Sequence, residues 1–236
     1  MGFFLRHRVL FGITALVLSV AVTFGICFFA LSKTAAQALR LTVVIDAGHG
    51  GIDGGVTGKV TGTKESDINL SISRYLQKEF EDAGFLVVQT RLSEAGLYGT
   101  TAKGYKKRDM KKRAEIINAA APALVISVHQ NFFSLSSRRG AQVFFKKGFA
   151  PSVALADCIQ DSLNAMEECP RQSEPLAGDY FILNCHEYPA VIVECGFLSN
   201  AQDEALLVSE SYQKKIAKTI RSGAVAFLAS GANTSG

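Results

Sequence analysis

The chain contains no Cys-x-x-C pair, no complete dinucleotide-type glycine fingerprint, no internal repeat and no strong excess of either charge. Each absence removes a class of function. Without paired cysteines, nothing suggests a zinc finger or a dithiol redox centre. Cys27 lies in an apolar N-terminal stretch, and Cys158, Cys169, Cys185 and Cys195 are expected as free, buried thiols, since a domain of roughly 200 residues has core enough without staples. The formal charge of +4 shrinks once Arg6, Arg8 and Lys33 are set aside, because residues 1–38 hold no acid and the remainder balances 22 bases against 21 acids. That balance carries no nucleic-acid signature. One dense basic run, from Lys103 to Arg113 and relieved only by Asp109, is expected as a solvated helix face, with contact to anionic polymer or lipid headgroups as the alternative.

What is present begins at the N-terminus. Arg6, His7 and Arg8 precede an uncharged stretch from Val9 to Leu31. At 1.5 Å per residue it makes a helix of roughly 34 Å, enough to cross a hydrocarbon core of about 30 Å. Ala36-Gln37-Ala38 offers a signal-peptidase pattern, yet the apolar stretch is longer than the roughly 7–15 residues of a signal h-region, so an uncleaved anchor is expected. The basic flank places the N-terminus in the cytoplasm and the rest outside; cleavage after Ala38 would secrete it. Residues 1–38 are read as anchor or signal with linker, and residues 39–236 as one domain.

Past residue 38, β-branched runs alternate with helical ones, which predicts an α/β fold with a mostly parallel twisted sheet of about six strands flanked by helices. The expected strands are Thr42–Asp46, Phe85–Thr90, a run ending at His129, Gly140–Phe145, Tyr180–Leu183 and a run ending at Glu194. Helices are expected over Ser66–Ala83, Lys107–Ala120, Pro151–Met166 and Tyr212–Leu228, with Ser199-Asn200 capping a further segment. The glycine- and threonine-containing stretch Leu92–Tyr105 gives no definite reading.

Three apolar runs end in chemistry: Leu41–Asp46 leads to His49, Ala123–Val128 to His129, and Ala190–Val193 to Glu194. In open parallel sheets, ligands bind outside the carboxyl ends of the strands, so these residues can converge. The loop Asp46–Gly55 resembles a phosphate cradle only superficially, because counting from Gly48 the sixth position is Asp53. Its glycines are better explained by tight folding around His49. Two imidazoles and carboxylates at one crevice suit catalytic zinc, which takes three protein ligands and keeps a position for water. His49 and His129 are the nitrogen donors; on chemistry alone the third ligand is Asp46, Asp53 or Glu65. Glu194 follows Val191-Ile192-Val193, where an unpaired carboxylate is expensive, so it is assigned as the general base.

Val44–Gly55, then Glu65 with Asn69-Leu70, then Ser127–Asn131, then Val193–Asn200 resemble, in order, the motifs of the zinc-dependent N-acetylmuramoyl-L-alanine amidases. Thr90-Arg91, Arg113 with Asn118, and Gly140 ahead of Val143-Phe144-Phe145 are secondary matches. The resemblance covers residues 41–228 and implies Zn2+ held by His49, Glu65 and His129, with Glu194 catalytic. It implies cleavage of the amide between N-acetylmuramic acid and L-alanine in peptidoglycan. The short anchored form is most similar to the CwlD-type sporulation and germination amidases, which implies a role in muramic-δ-lactam formation in spore cortex and an accessory lipoprotein partner that promotes zinc binding. The alternatives are a zinc peptidase acting within the stem peptide, a non-catalytic wall-binding module and, more weakly, a cysteine hydrolase built on Cys195.

Overall fold

In the computed structural model, the described residues are 41–231. The apolar stretch Val9–Leu31, the Ala36–Ala38 pattern and Cys27 lie outside them. Among the described residues no helix is long and apolar enough to cross a membrane.

Six strands form one sheet: β1 (Thr42–Ala47), β2 (Leu86–Gln89), β3 (Leu124–Asn131), β4 (Gln142–Phe145), β5 (Leu176–Ala177) and β6 (Ala190–Phe197). Their order is β2-β1-β3-β6-β4-β5, parallel throughout except where β4 runs antiparallel to β6. The helices are α1 (Glu65–Asp82), α2 (Tyr105–Ala120), α3 (Ala150–Asn164), α4 (Phe181–Asn184), α5 (Ala201–Leu207) and α6 (Glu210–Ala229). Parallel strands buried on both faces are apolar nearly throughout, which is why β1, β3 and β6 stand out in the sequence.

Alternation along those strands separates two cores. Val43, Ile45, Ile126, Val128, Val191 and Val193 face one layer, into which α1 inserts Ile68, Ile72, Leu76 and Phe80, α3 inserts Leu155 and Ile159, and α6 inserts Ile216 and Ile220. Each such side chain contributes roughly 1.5–3 kcal/mol on burial. Val44, Val125 and Ile192 face the other way, against Ile117 of α2 and Ile182 and Leu183 of α4. This second layer is thinner, and the crevice opens there.

Two sequence expectations need correction. Tyr180–Leu183 is not a strand: Phe181–Asn184 is a single helical turn that buries the adjacent pair Ile182 and Leu183, which strand alternation would have split between faces. The strand in this region is the two-residue β5. Neither His129 nor Glu194 ends its strand, since β3 continues to Asn131 and β6 to Phe197. The Asn200 side chain does cap α5, accepting from the Gln202 and Asp203 amides.

Candidate metal centre

The site is built at the carboxyl ends of β1 and β3, beside β6, and at the start of α1. His49 sits beyond β1 with φ +62°, a left-handed conformation uncommon for residues other than glycine. Two buried arginines hold that turn. Arg113 of α2 donates to the carbonyl of Ala47 at 2.7 Å and of His49 at 2.6 Å, and Arg91 donates to the carbonyls of Ala47, Gly48 and Ser66. The guanidinium of Arg113 also pairs with Asp46 at 2.6 Å and Asp109 at 2.6 Å.

The three carboxylates left open by sequence occupy three different environments. Asp46 is enclosed: it accepts from Arg113, from the Thr90 hydroxyl at 2.6 Å and from the Ser127 hydroxyl at 2.6 Å. Burial alone would raise its carboxyl, but the Arg113 charge and the two hydroxyls outweigh that and hold it at about 2. Asp53 lies 3.2 Å from Nδ1 of His49 and 3.4 Å from Lys106, on the far side of the ring from the cluster. Glu65 faces inward. Its Oε1 lies 3.3 Å from His49 Nε2 and 3.0 Å from His129 Nδ1 and accepts from the Gln130 amide, while Oε2 accepts from the Val56 amide. Burial opposes its ionised form, yet the two imidazoles hold it well below the usual carboxylate range.

His49, Glu65 and His129 each offer one ligand atom, and these atoms lie within 4.8 Å of one another. Two imidazole nitrogens and a carboxylate oxygen match the donor set of a catalytic zinc site. Asp53 stands behind His49, where an outer carboxylate commonly accompanies a ligating imidazole. Asn69, one turn after Glu65, donates to the Gly48 carbonyl at 3.1 Å and accepts from Gln130, tying α1 to both the turn and β3. The glycines fit as anticipated. A Cβ at Gly48 would collide with the His129 ring, and one at Gly55 with the Glu65 carboxylate.

Glu194 is treated differently. It pairs in register with His129 across β3 and β6, so the two side chains leave the same face of the sheet side by side. Its Oε2 is buried with no hydrogen-bond partner among the described residues, and burial pushes its carboxyl up to about 7. Cys195, the next residue, points into the other core, where burial pushes its thiol up, away from the thiolate a nucleophile needs. The four domain cysteines are free thiols; Cys195 is fully buried and the other three half-buried.

Sequence reasoning missed the buried role of Arg113, which the basic run concealed. Lys106, Lys107, Lys111 and Lys112 of that run are exposed, but Arg113 is 1% exposed. Arg108 is likewise engaged, donating to the carbonyls of Tyr98, Thr100, Ala102 and Lys103. These contacts order Leu92–Tyr105, which also bonds the histidine loop through Gly51 to the Glu94 carbonyl and Ile52 to the Tyr98 hydroxyl. The stretch is a wall of a cavity of about 170 Å³ bounded by His49, His129, Tyr98, Tyr105 and Phe181.

Known proteins resemble this chain in sequence and in fold. The family model Amidase_3, N-acetylmuramoyl-L-alanine amidase, matches residues 43–226. The germination-specific N-acetylmuramoyl-L-alanine amidase of Bacillus subtilis (strain 168) is 34% identical over 186 residues, covering 77% of each chain. The CwlD amidase from Clostridioides difficile, solved in complex with the GerS lipoprotein, superposes with a TM-score of 0.78 at 37% identity, covering 81% of this chain and 100% of that one. The catalytic domain of CwlV from Bacillus (Paenibacillus) polymyxa var. colistinus gives a TM-score of 0.68 at 25% identity, over 80% of this chain and 99% of that one.

Proposed function

The chain belongs to the N-acetylmuramoyl-L-alanine amidase family, and from that membership we propose that His49, Glu65 and His129 hold a zinc ion and that Glu194 moves the proton in the reaction. The reaction is hydrolysis of the amide joining N-acetylmuramic acid to L-alanine. When bound, zinc supplies Lewis acidity, polarising a carbonyl and acidifying water. Glu194 takes a proton from the attacking water on a carboxylate oxygen and returns it to the departing nitrogen of L-alanine. Asp53 keeps His49 oriented, and Arg91 and Arg113 keep its loop in place. The observation that carries this reading is the buried Oε2 of Glu194, without a partner among the described residues, in register with His129.

The setting we propose is spore cortex: removal of the peptide as a step towards muramic-δ-lactam, used at germination. Likeness to the germination-specific and CwlD amidases supports it. The neighbour solved with the GerS lipoprotein supports an accessory lipoprotein partner here, and promotion of zinc binding is the role proposed for it. Val9–Leu31 is proposed as a single-pass anchor with the domain extracytoplasmic, and protease accessibility of tagged cells tests that placement.

The deciding experiment incubates purified chain with peptidoglycan, with and without zinc, and reads products by mass spectrometry alongside metal content. Stem peptides with free N-terminal L-alanine are expected only when metal is present. Cleavage within the stem peptide would replace the amidase reading with the peptidase one. An empty metal site with no release, relieved by adding a lipoprotein partner, would support partner-dependent zinc loading.

A further inference from the structure

A second depression, of about 400 Å³, is bounded in part by Phe197 of β6, the strand that carries Glu194, and takes no part in the roles assigned above. Arg138, Arg139, Gly140, Gln142, Arg171 and Phe197 bound it. Because β4 runs opposite to β6, its first residue, Gln142, lies directly across from Glu194. The backbones of Gln142 and Glu194 are therefore one strand spacing, about 4.8 Å, apart. An extended peptide covers that distance in one to two residues at about 3.5 Å each.

Two of its three arginines have no acidic partner among the described residues. Arg139 is neutralised, since its guanidinium pairs with Asp203 at 3.2 Å and bonds Gln202. Asp203 also accepts from the amides of Gly140 and Phe197, which fastens the rim to β6. Arg138 and Arg171 are exposed and, among the described residues, have no acidic partner. Arg138 is held over the Phe133 ring at 5.3 Å, so it is not a freely solvated chain. Guanidinium groups without an acidic partner suit a carboxylate, which a guanidinium grips in a fork.

We infer that this depression binds a free carboxylate of the acidic stem peptide on the leaving-group side of the scissile amide, with Arg138 and Arg171 as its specificity-determining residues. The inference rests on the amidase reading for the direction of the peptide, but binding can be read without turnover.

The test is calorimetric titration of the full chain, zinc-loaded and zinc-free, with a synthetic acidic tripeptide beginning in L-alanine and with its carboxamide-capped counterpart. The acidic peptide is expected to bind about tenfold more tightly. Arg138→Ala with Arg171→Ala removes that preference while leaving the capped peptide's affinity unchanged, and Arg171→Lys restores part of it. Indifference of the unmodified chain to capping, or equal weakening of both peptides, would overturn the inference. So would tighter, arginine-dependent binding of a glycerol-phosphate oligomer, which would make the depression a site for anionic polymer. Turnover by Glu194→Gln would defeat the proton-transfer assignment and leave the peptide preference standing, so the two failures are distinguishable.

Discussion

The turn after β1 and the middle of β6 stand two strands apart at the same crevice, and they handle buried oxygens in opposite ways. In the turn, Asp46 accepts from a guanidinium and two hydroxyls, and the carbonyls of Ala47, Gly48 and His49 all receive arginine N–H groups. At Glu194, one buried oxygen has no partner among the described residues. An unsatisfied buried oxygen costs about 1–3 kcal/mol, a penalty this fold avoids at the turn and accepts at β6. On the proposed roles, the residue that only holds is immobilised, and the one that exchanges a proton keeps an oxygen free.

That contrast can be broken from either side. His129→Ala is expected to abolish both zinc binding and hydrolysis, read by metal analysis and product formation; retained metal at full stoichiometry would remove His129 from the ligand set. Glu194→Gln should lower kcat by up to about 10⁴-fold while zinc content stays intact, and a near-normal rate would mean that another group moves the proton. Arg113→Ala, which strands Asp46 without its counter-charge, should cost roughly 3–5 kcal/mol in urea denaturation. Exposed Lys107→Ala should stay within about 0.5 kcal/mol. Equal effects would mean that the turn is not pinned.

An effect smaller than that of Arg113→Ala is the pH dependence of Asp46. Its folded carboxyl, at about 2, lies below the ordinary 3.8, so its stabilisation is present above the unfolded value and is lost as pH falls from about 4 through about 2. The difference amounts to about 2 kcal/mol. A carbon-13 titration of Asp46 measures it directly, and an ordinary midpoint would show that Arg113 and the hydroxyls do not bind it as described.

The strands that carry the site were legible because burial on both faces demands uninterrupted apolar runs, and His49 and His129 follow two of them. The glycines around His49 were legible too, as close-approach positions; Gly48 meets His129 and Gly55 meets Glu65. The choice among Asp46, Asp53 and Glu65 was not legible in chemistry or spacing and came only from the family resemblance, because it depends on which neighbours reach each carboxylate, and Arg113 comes from 67 positions beyond Asp46. Arg113 itself was hidden in a run of bases, where composition cannot show that one member turns inward. Tyr180–Leu183 has strand-like residues but lies on a helical turn, since burying Ile182 and Leu183 together outweighs local preference.

The pairing of His129 with Glu194 has one more consequence. Their spacing is set by a rung of backbone hydrogen bonds rather than by adjustable side chains. A one-residue slip of β6 would bring Val193 or Cys195 to that rung and turn the carboxylate to the opposite face. No intermediate register gives a partly working site. Catalysis should therefore vanish together with the central β3–β6 ladder during unfolding, which makes turnover itself a gauge of whether the innermost strands remain in register.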